Sequence, residues 1–248
     1  MVKVNRTKTA PASLAIEKEK GTENYRERDV VFQLNKDFNG KCYLCEIDKL
    51  QSIHIEHLKP HHGKDRDLMF DWNNLFLSCP HCNSVKNQKK YEEHIIDCCK
   101  EDPEASIRQE LVDSHVVVTA IESTEDAIRT AGLLTECFEK ENTGIRILEC
   151  QTRVNALQTT MTTLYRCLAN YKQNPSQRNY RTLRGMLNRS HKFAGFTRTY
   201  VRNHIDEYPN LSELVAIACR AESSCAGPKI RVNKCVTLLL KNAMPTAA

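Results

Sequence analysis

Two Cys-x-x-Cys pairs, Cys42-Tyr43-Leu44-Cys45 and Cys79-Pro80-His81-Cys82, decide the fold of this chain. Each pair turns two thiolates to one side of the backbone, and two such turns complete a tetrahedral site of the kind that holds zinc. A site closed by four cysteines leaves no open position for a substrate, so we interpret it as structural. The alternative is that these are four buried thiols whose spacing arose by chance.

Residues that can do chemistry lie between the two cysteine pairs and just after them. The segment 52–58 alternates apolar and polar residues, which predicts a strand, and Leu75-Phe76-Leu77 predicts a second one. The first strand ends in the acid–histidine pair Glu56-His57. After the last cysteine a helix is predicted over 83–99, and its first turn carries Asn83 and Lys86 on one face.

In order, spacing and residue type, residues 42–86 resemble the HNH endonuclease family, which is built on a ββα-metal finger. The shared features are a Cys-x-x-Cys, an acid–histidine pair, a central Asn-Leu, and a closing Cys-x-x-Cys-Asn-x-x-Lys. The resemblance implies that Glu56 and Asn83 hold a catalytic divalent ion, that His57 is the general base, and that Asn74 orients its imidazole. It further implies a structural zinc held by Cys42, Cys45, Cys79 and Cys82.

These roles suit phosphodiester hydrolysis. Histidine has an ordinary pKa near 6.5, which is close to what a base needs to deprotonate water at neutral pH. Two oxygen ligands leave open positions on the cation for water and phosphate, and hard oxygen donors favour Mg²⁺ or Mn²⁺. Neighbouring residues of a strand face opposite sides. Glu56 and His57 must therefore sit at the end of the strand to reach one phosphate.

Each of these side chains also has a plainer interpretation. His57 taken alone is a hydrogen-bonded strand histidine. His54 is a third metal ligand, a phosphate contact, or a packed or exposed histidine without a role. Lys86 is a phosphate contact or one more surface lysine. We predict that Lys86 and His54 contact nucleic acid.

Features along more of the chain resemble the PtuB-type HNH effectors of Septu and retron-associated anti-phage systems. They are found in five segments: Lys8…Pro11…Leu14, Gly40–Glu46, Glu56-His57-x-x-Pro60, Trp72–Leu75 and Arg153-x-Asn155. The resemblance implies a nuclease that works with a PtuA-like ATPase of the SMC/ABC type. It leaves the substrate open, with DNA first and RNA, including tRNA, second.

Composition sets the remaining limits. The 248 residues include 8 Gly and 8 Pro, a sparse supply that favours helices. No apolar run approaches the 18 or so residues that a membrane span needs, and the N-terminus lacks a signal-peptide pattern. We therefore expect a cytoplasmic protein without membrane contact, in which twelve cysteines bind metal or are buried as thiols.

The expected fold is mainly α with a small α+β element. It comprises an N-terminal arm (1–22) and helix within 1–40, a zinc-bound HNH finger at 41–100, and a C-terminal helical bundle at 101–248. An apolar heptad seam predicts a long helix, with members Ile147, Cys150, Val154, Leu157, Met161, Leu164, Leu168 and Tyr171. The seam packs inside the chain's own bundle or docks on a partner, which is an ATPase or a second copy in a homo-oligomer.

Charge is unevenly distributed along the chain. The net charge is +5, yet the stretch from Cys150 to Ile205 carries ten Lys or Arg and no Asp or Glu. Such a stretch predicts a polyanion or an acidic partner, or else a solvated helical surface. The residues that test this are Arg178, Arg181, Arg184, Arg189, Lys192, Arg198 and Arg202.

Three functions follow from these patterns. The first is a metal-dependent HNH endonuclease that serves as the effector of an anti-phage system. The second is a zinc finger that binds nucleic acid without hydrolysing it, for which the Glu56-His57 pair with Asn83 would be unnecessary. The third is an interaction protein whose helical bundle is the working part.

Overall fold

A computed structural model describes residues 1–139 and 144–217 of the chain. The strands in this part are β1 (His54–His57), β2 (Leu75–Ser78), β3 (Ile107–Val112) and β4 (His115–Ala120). The helices are α1 (Ala12–Glu19), α2 (Arg28–Asp37), α3 (Arg66–Phe70), α4 (Pro80–Lys86), α5 (Pro103–Ser106), α6 (Glu125–Glu139), α7 (Gly144–Gln173), α8 (Gln177–Met186) and α9 (Ala194–Asn203). Short 3₁₀ turns occur at Trp72–Asn74, Lys89–Tyr91 and Pro209–Val215.

Strands β1 and β2 with helix α4 form the ββα finger. The two strands are antiparallel, and His57 at the end of β1 is paired with Leu75. Cys79 caps α4 by accepting a hydrogen bond from the amide of Cys82, and Pro80 occupies the first turn, where its missing N–H costs nothing. The helix predicted over 83–99 was too long, because α4 ends at Lys86 and a 3₁₀ turn follows.

The N-terminal segment is more ordered than predicted. The expected irregular arm contains α1, and α2 begins at Arg28, after an extended Glu27. Arg6 anchors the arm to the finger, because its guanidinium donates to the carbonyls of Trp72 and Leu75. The arm is therefore packed against the element that carries β2.

The β-branched run at 116–121 predicts one isolated strand, and the structure has a strand there that is paired. It is β4, and it pairs with β3 in a hairpin whose turn residues Asp113 and Ser114 both have positive φ. The strand β3 was missed because it reads Ile-Arg-Gln-Glu-Leu-Val, with three polar residues in six. A mixed composition of this kind gives no clear period-2 signal.

Helices α6 to α9 follow the predicted order, and the long helix α7 buries its seam. Leu157, Met161, Leu164 and Leu168 are fully buried, whereas Ile147 at the start of the seam is exposed. The seam therefore packs inside the chain for most of its length. The residues Asn142-Thr143, which are predicted to end α6, lie outside the described residues. The sequence also predicts a last helix over about 211–222, where the structure has the 3₁₀ turn Pro209–Val215 and describes nothing beyond residue 217. In the described residues no helix is long and apolar enough to cross a membrane.

A buried carboxylate changes the interpretation of the basic stretch. Glu104 on α5 is 2% exposed and accepts hydrogen bonds from Arg198, Arg202 and Arg189. Asp102 pairs with Arg189 as well. Three of the seven residues chosen as a surface test set are therefore internal ion-pair partners. They bind α9 and the loop before it to α5, and reversing their charge would break the fold.

Glu104→Gln should lower the free energy of unfolding at pH 7 by about 3–5 kcal/mol, because Arg198 and Arg202 then lose this carboxylate and Arg189 keeps only that of Asp102. Burial raises the pKa of Glu104, but the charges of Arg202 and Arg198 outweigh burial and leave the pKa lowered. The stabilisation is thus present at neutral pH and is lost as the pH falls below the ordinary value of 4.5.

Urea unfolding at pH 7 and at pH 4 measures both effects. The parent and Glu104→Gln should differ less at pH 4, and the exposed Glu19→Gln serves as the matched control. A Glu104→Gln protein as stable as its parent at pH 7 would contradict the ion-pair account.

Candidate functional site

The two Cys-x-x-Cys pairs meet in one buried cluster. The sulfur atoms of Cys42, Cys45, Cys79 and Cys82 lie within 4.8 Å of one another. The Cys45 and Cys79 sulfurs are 4.0 Å apart. A tetrahedral zinc with bonds of about 2.3 Å separates its sulfurs by about 3.8 Å. The cluster therefore fits a metal ion, and its all-sulfur donor set suits zinc.

Helix α7 contacts this cluster directly. Arg153 is 7% exposed and donates a hydrogen bond of 3.1 Å to the sulfur of Cys79. Hydrogen bonds from the other three cysteines lower the pKa of Cys79, and the charge of Arg153 lowers it further. Four residues earlier on α7, Glu149 lies 2.6 Å from Nδ1 of the buried His81. His81 therefore joins α7 to α4.

Beside the cluster a cleft of about 530 Å³ is lined by residues from Tyr25 to Glu92. The structure brings together in it five of the side chains that the sequence singled out. They are His54, Glu56, His57, Asn83 and Lys86. Glu56 and His57 reach the same cleft because β1 ends at His57, which is the arrangement that the sequence analysis required.

His57 is held in one orientation by a backbone carbonyl. Its Nε2 lies 3.0 Å from the carbonyl oxygen of Met69. A carbonyl only accepts hydrogen bonds, so Nε2 carries the ring proton and Nδ1 is the basic nitrogen. Burial lowers the pKa of His57 to about 4, although the bond to Met69 opposes this. The imidazole is therefore neutral at physiological pH.

Glu56 is buried, with 3% of its surface exposed, and the ammonium group of Lys86 lies next to it. Its Oε1 lies 3.0 Å from Nζ of Lys86, and its Oε2 accepts a 2.6 Å hydrogen bond from the hydroxyl of Tyr43. Burial raises the pKa of Glu56 against the opposing charge of Lys86. Carboxylate chemistry suits a divalent ion, and such an ion would add to Lys86 as a counter-charge.

Lys86 is buried inside the finger, whereas the prediction of a phosphate contact requires an exposed ammonium. It is 3% exposed, and its ammonium also donates to the carbonyls of His57 and Leu58. With Glu56 these make three oxygens for the three N–H groups of one ammonium. Lys86 thus supports the end of β1 from inside the finger.

Asn83 and His54 form a pair at the edge of the cleft. The amide nitrogen of Asn83 lies 3.1 Å from Nδ1 of His54. If the amide donates, its Oδ1 remains available to a cation. Asn83 reaches this place because it directly follows Cys82 on α4, and His54 because it lies on the same face of β1 as Glu56.

The side chain of Asn74 hydrogen-bonds to the backbone near His57 rather than to the imidazole that it was predicted to orient. Within the described part of the chain, its amide donates to the carbonyls of Lys59 and Leu68, and its oxygen accepts from the amide of Lys59. These contacts tie the segment after His57 to the residue before Met69. Asn74 therefore fixes the backbone on both sides of the His57–Met69 bond.

Two rings at His57 were not predicted. Tyr25 and His61 pack edge-on against its imidazole, with centroids 4.6 Å and 4.4 Å away. Tyr25 comes from the segment before α2, and nothing local in the sequence marks it. The three histidines at 57, 61 and 62 are a signal in the sequence that could have indicated His61.

Comparison with known proteins identifies the finger. Residues 42–89 match the family model described as HNH endonuclease. The Septu protein PtuB of Bacillus mycoides (strain KBAB4) is 34% identical over 83 residues, and the match covers 28% of this chain and 28% of that protein. The chain thus matches little more than a quarter of this relative's length. Residues 42–89 therefore match an HNH endonuclease domain, which confirms the resemblance seen in the motifs.

Replacing two of the four thiols tests the metal cluster. The parent should contain about one tightly bound zinc per chain, and the Cys79→Ser, Cys82→Ser double variant should lose it and melt at a lower temperature. Elemental analysis and a thermal melt measure the two effects.

Cys98→Ser with Cys99→Ser provides the matched control, because these thiols lie outside the cluster and should leave the zinc content unchanged. Full zinc retention in the Cys79, Cys82 variant would contradict the assignment of the cluster.

Proposed function

We propose that this protein is a metal-dependent endonuclease that hydrolyses phosphodiester bonds and leaves 5′-phosphate ends. The observation that carries the proposal is the state of His57. Its imidazole is neutral and oriented, and it presents Nδ1 in a cleft shared with Glu56 and Asn83. Because the imidazole is already neutral, it can accept a proton from the attacking water without a preceding deprotonation step.

The surroundings of His57 keep this base in place. The carbonyl of Met69 holds the ring by Nε2, and Asn74 holds the backbone that carries the carbonyl. Tyr25 and His61 restrict rotation of the ring from two sides. Positioning of this kind raises the rate because the base is already aligned when the substrate binds.

Glu56 and Asn83 would hold the divalent ion, with Mg²⁺ or Mn²⁺ as the candidates. The donor set fits, since one carboxylate and one amide oxygen face the same cleft. When bound, the cation supplies Lewis-acid charge that compensates the scissile phosphate. Lys86 keeps Glu56 in place in the buried finger, and His54 is proposed to meet the substrate at the exposed edge.

The four-cysteine cluster is proposed to hold a structural zinc. The chain is proposed to consist of three parts, with boundaries at about residues 40 and 100, as the sequence predicts. DNA is the first candidate substrate and RNA, including tRNA, the second. The similarity to Septu protein PtuB supports a place in anti-phage defence, with a PtuA-like ATPase as the partner. The chain is also proposed to form a homo-oligomer through its helical region.

His57→Ala should reduce cleavage by about 10²–10⁴-fold, because loss of a general base is worth that much. The assay uses the full chain, alone and with a co-purifying ATPase, on DNA and on tRNA with Mg²⁺ or Mn²⁺. Zinc content and the melting temperature should stay near the parental values.

The exposed His115→Ala is the control and should cleave at the parental rate. If His57→Ala cleaved as fast as the parent, the nuclease mechanism would be wrong. A parent that binds nucleic acid without cleaving it would favour the non-catalytic zinc finger instead.

Asn83→Ala should weaken Mn²⁺ binding at least about tenfold, because it removes one of two protein oxygens from the cation. Titration calorimetry with Mn²⁺ alone measures this without any substrate. Asn87→Ala is a close control, since Asn87 lines the same cleft near the end of the same helix. Equal Mn²⁺ affinity in the two variants would remove Asn83 from the ligand set.

A further inference from the structure

Helix α8 carries a row of arginines that plays no part in the cleft. Arg178, Arg181 and Arg184 follow one another at intervals of three residues, and all three are exposed. At 3.6 residues per turn, the row points away from the buried Leu183 and Met186 of the same helix. The three guanidiniums therefore project into solvent from one side of α8, and we call them the arginine row.

The row differs from Arg189, Arg198 and Arg202 of the basic stretch in having no carboxylate partner among the described residues. In the part of the chain that the structure describes, Arg189, Arg198 and Arg202 are paired with acids, whereas no ion pair involves the row. No Asp or Glu occurs between Cys150 and Ile205. Three uncompensated positive charges on one helix face repel one another, so the row gains free energy when an anion binds.

Gly185 lies on the same side of α8 as this row, and its position is exposed. A Cβ atom placed on Gly185 would meet nothing within 4 Å. Glycine in a helix costs up to about 1 kcal/mol relative to alanine, so the fold would be better served by a larger residue. A position without a side chain, set among guanidiniums, lets a bulky anion approach the backbone of the helix.

We propose that the arginine row is a second nucleic-acid contact, which binds the phosphate backbone outside the catalytic cleft. The inference rests on the proposed function, since it takes nucleic acid to be the substrate. Guanidinium groups match phosphate oxygens in geometry and charge. The cleft is lined by residues between Tyr25 and Glu92, so the row extends the contact to the helical region. Backbone contacts carry no sequence information, and the row therefore adds affinity at any sequence.

Neutralising the row tests the proposal. The variant Arg178→Gln, Arg181→Gln, Arg184→Gln is made in a His57→Ala background, so that binding is measured without cleavage. Its control, Lys36→Gln, Lys49→Gln, Arg108→Gln, removes three exposed charges from elsewhere on the chain. The probes are duplex DNA, single-stranded DNA and tRNA, titrated over a range of salt concentrations.

At physiological salt the row variant should bind at least about tenfold more weakly than the parent, and the slope of log K against log salt should fall by about 2 to 3. The control variant should bind within about twofold of the parent, since long-range charge effects alone are small at physiological salt. Equal losses in the two variants, or no loss in either, would overturn the proposal.

Gly185→Gln gives a second test without any change of charge. The side chain enters open space, so the melting temperature should hold or rise while nucleic-acid binding weakens several-fold. Unchanged binding by this variant and by the row variant would overturn the proposal. A row variant that still binds nucleic acid with the parental affinity, but no longer binds a co-purifying ATPase, would overturn the proposal too. It would show that the row contacts an acidic face of a protein.

The outcomes separate this inference from the proposed function. A parent that fails to cleave, but whose binding falls in the row variant, would contradict the nuclease and support the row as a nucleic-acid contact. A parent that cleaves, with binding independent of the row, would support the nuclease and overturn the inference.

Discussion

The four-cysteine cluster is the constraint on which the finger depends. Strands β1 and β2 have four residues each, and a two-stranded sheet of that size is marginal in water. The cluster closes the segment from Cys42 to Cys82 at a fixed point. Because Asn83 directly follows the last cysteine, the same closure places Asn83 beside His54 at the start of β1, and Lys86 at the end of α4 reaches the end of that strand. The cleft with its base and proposed ligands is a product of that closure.

Compensation of buried charge is the second organising principle. Glu56 is paired with Lys86, Glu104 with three arginines, and Arg153 with the cysteine cluster. Each pair joins segments far apart in sequence; Arg198 and Glu104, for example, are 94 residues apart. Leaving either member alone in the interior would cost several kcal/mol. These pairs therefore fix how the helices are arranged around the finger, while apolar burial supplies most of the driving force.

The sequence predicted what is encoded at short range and missed what depends on distant contacts. The cysteine turns and the strand ending at His57 are local patterns with fixed spacing, and the structure has them, whereas the helix predicted from Asn83 begins at Pro80, inside the second cysteine pair. The burial of Lys86 and of the arginines that bind Glu104 could not be predicted, since their partners are remote in sequence. Tyr25 against His57 was missed for the same reason, whereas β3 was missed because its mixed composition gives no clear period-2 signal.

The hydrogen bonds between α7 and the finger have a consequence for how such a protein can evolve. Glu149 and Arg153, one turn apart on α7, hold His81 and the sulfur of Cys79. A finger transplanted into another protein would leave behind an arginine in a hydrophobic interior without its sulfur acceptor. The finger is therefore not an interchangeable cassette, although its motif is contiguous in the sequence. Exchanges between related chains should succeed only when α7 travels with the finger, so the two segments should share one ancestry.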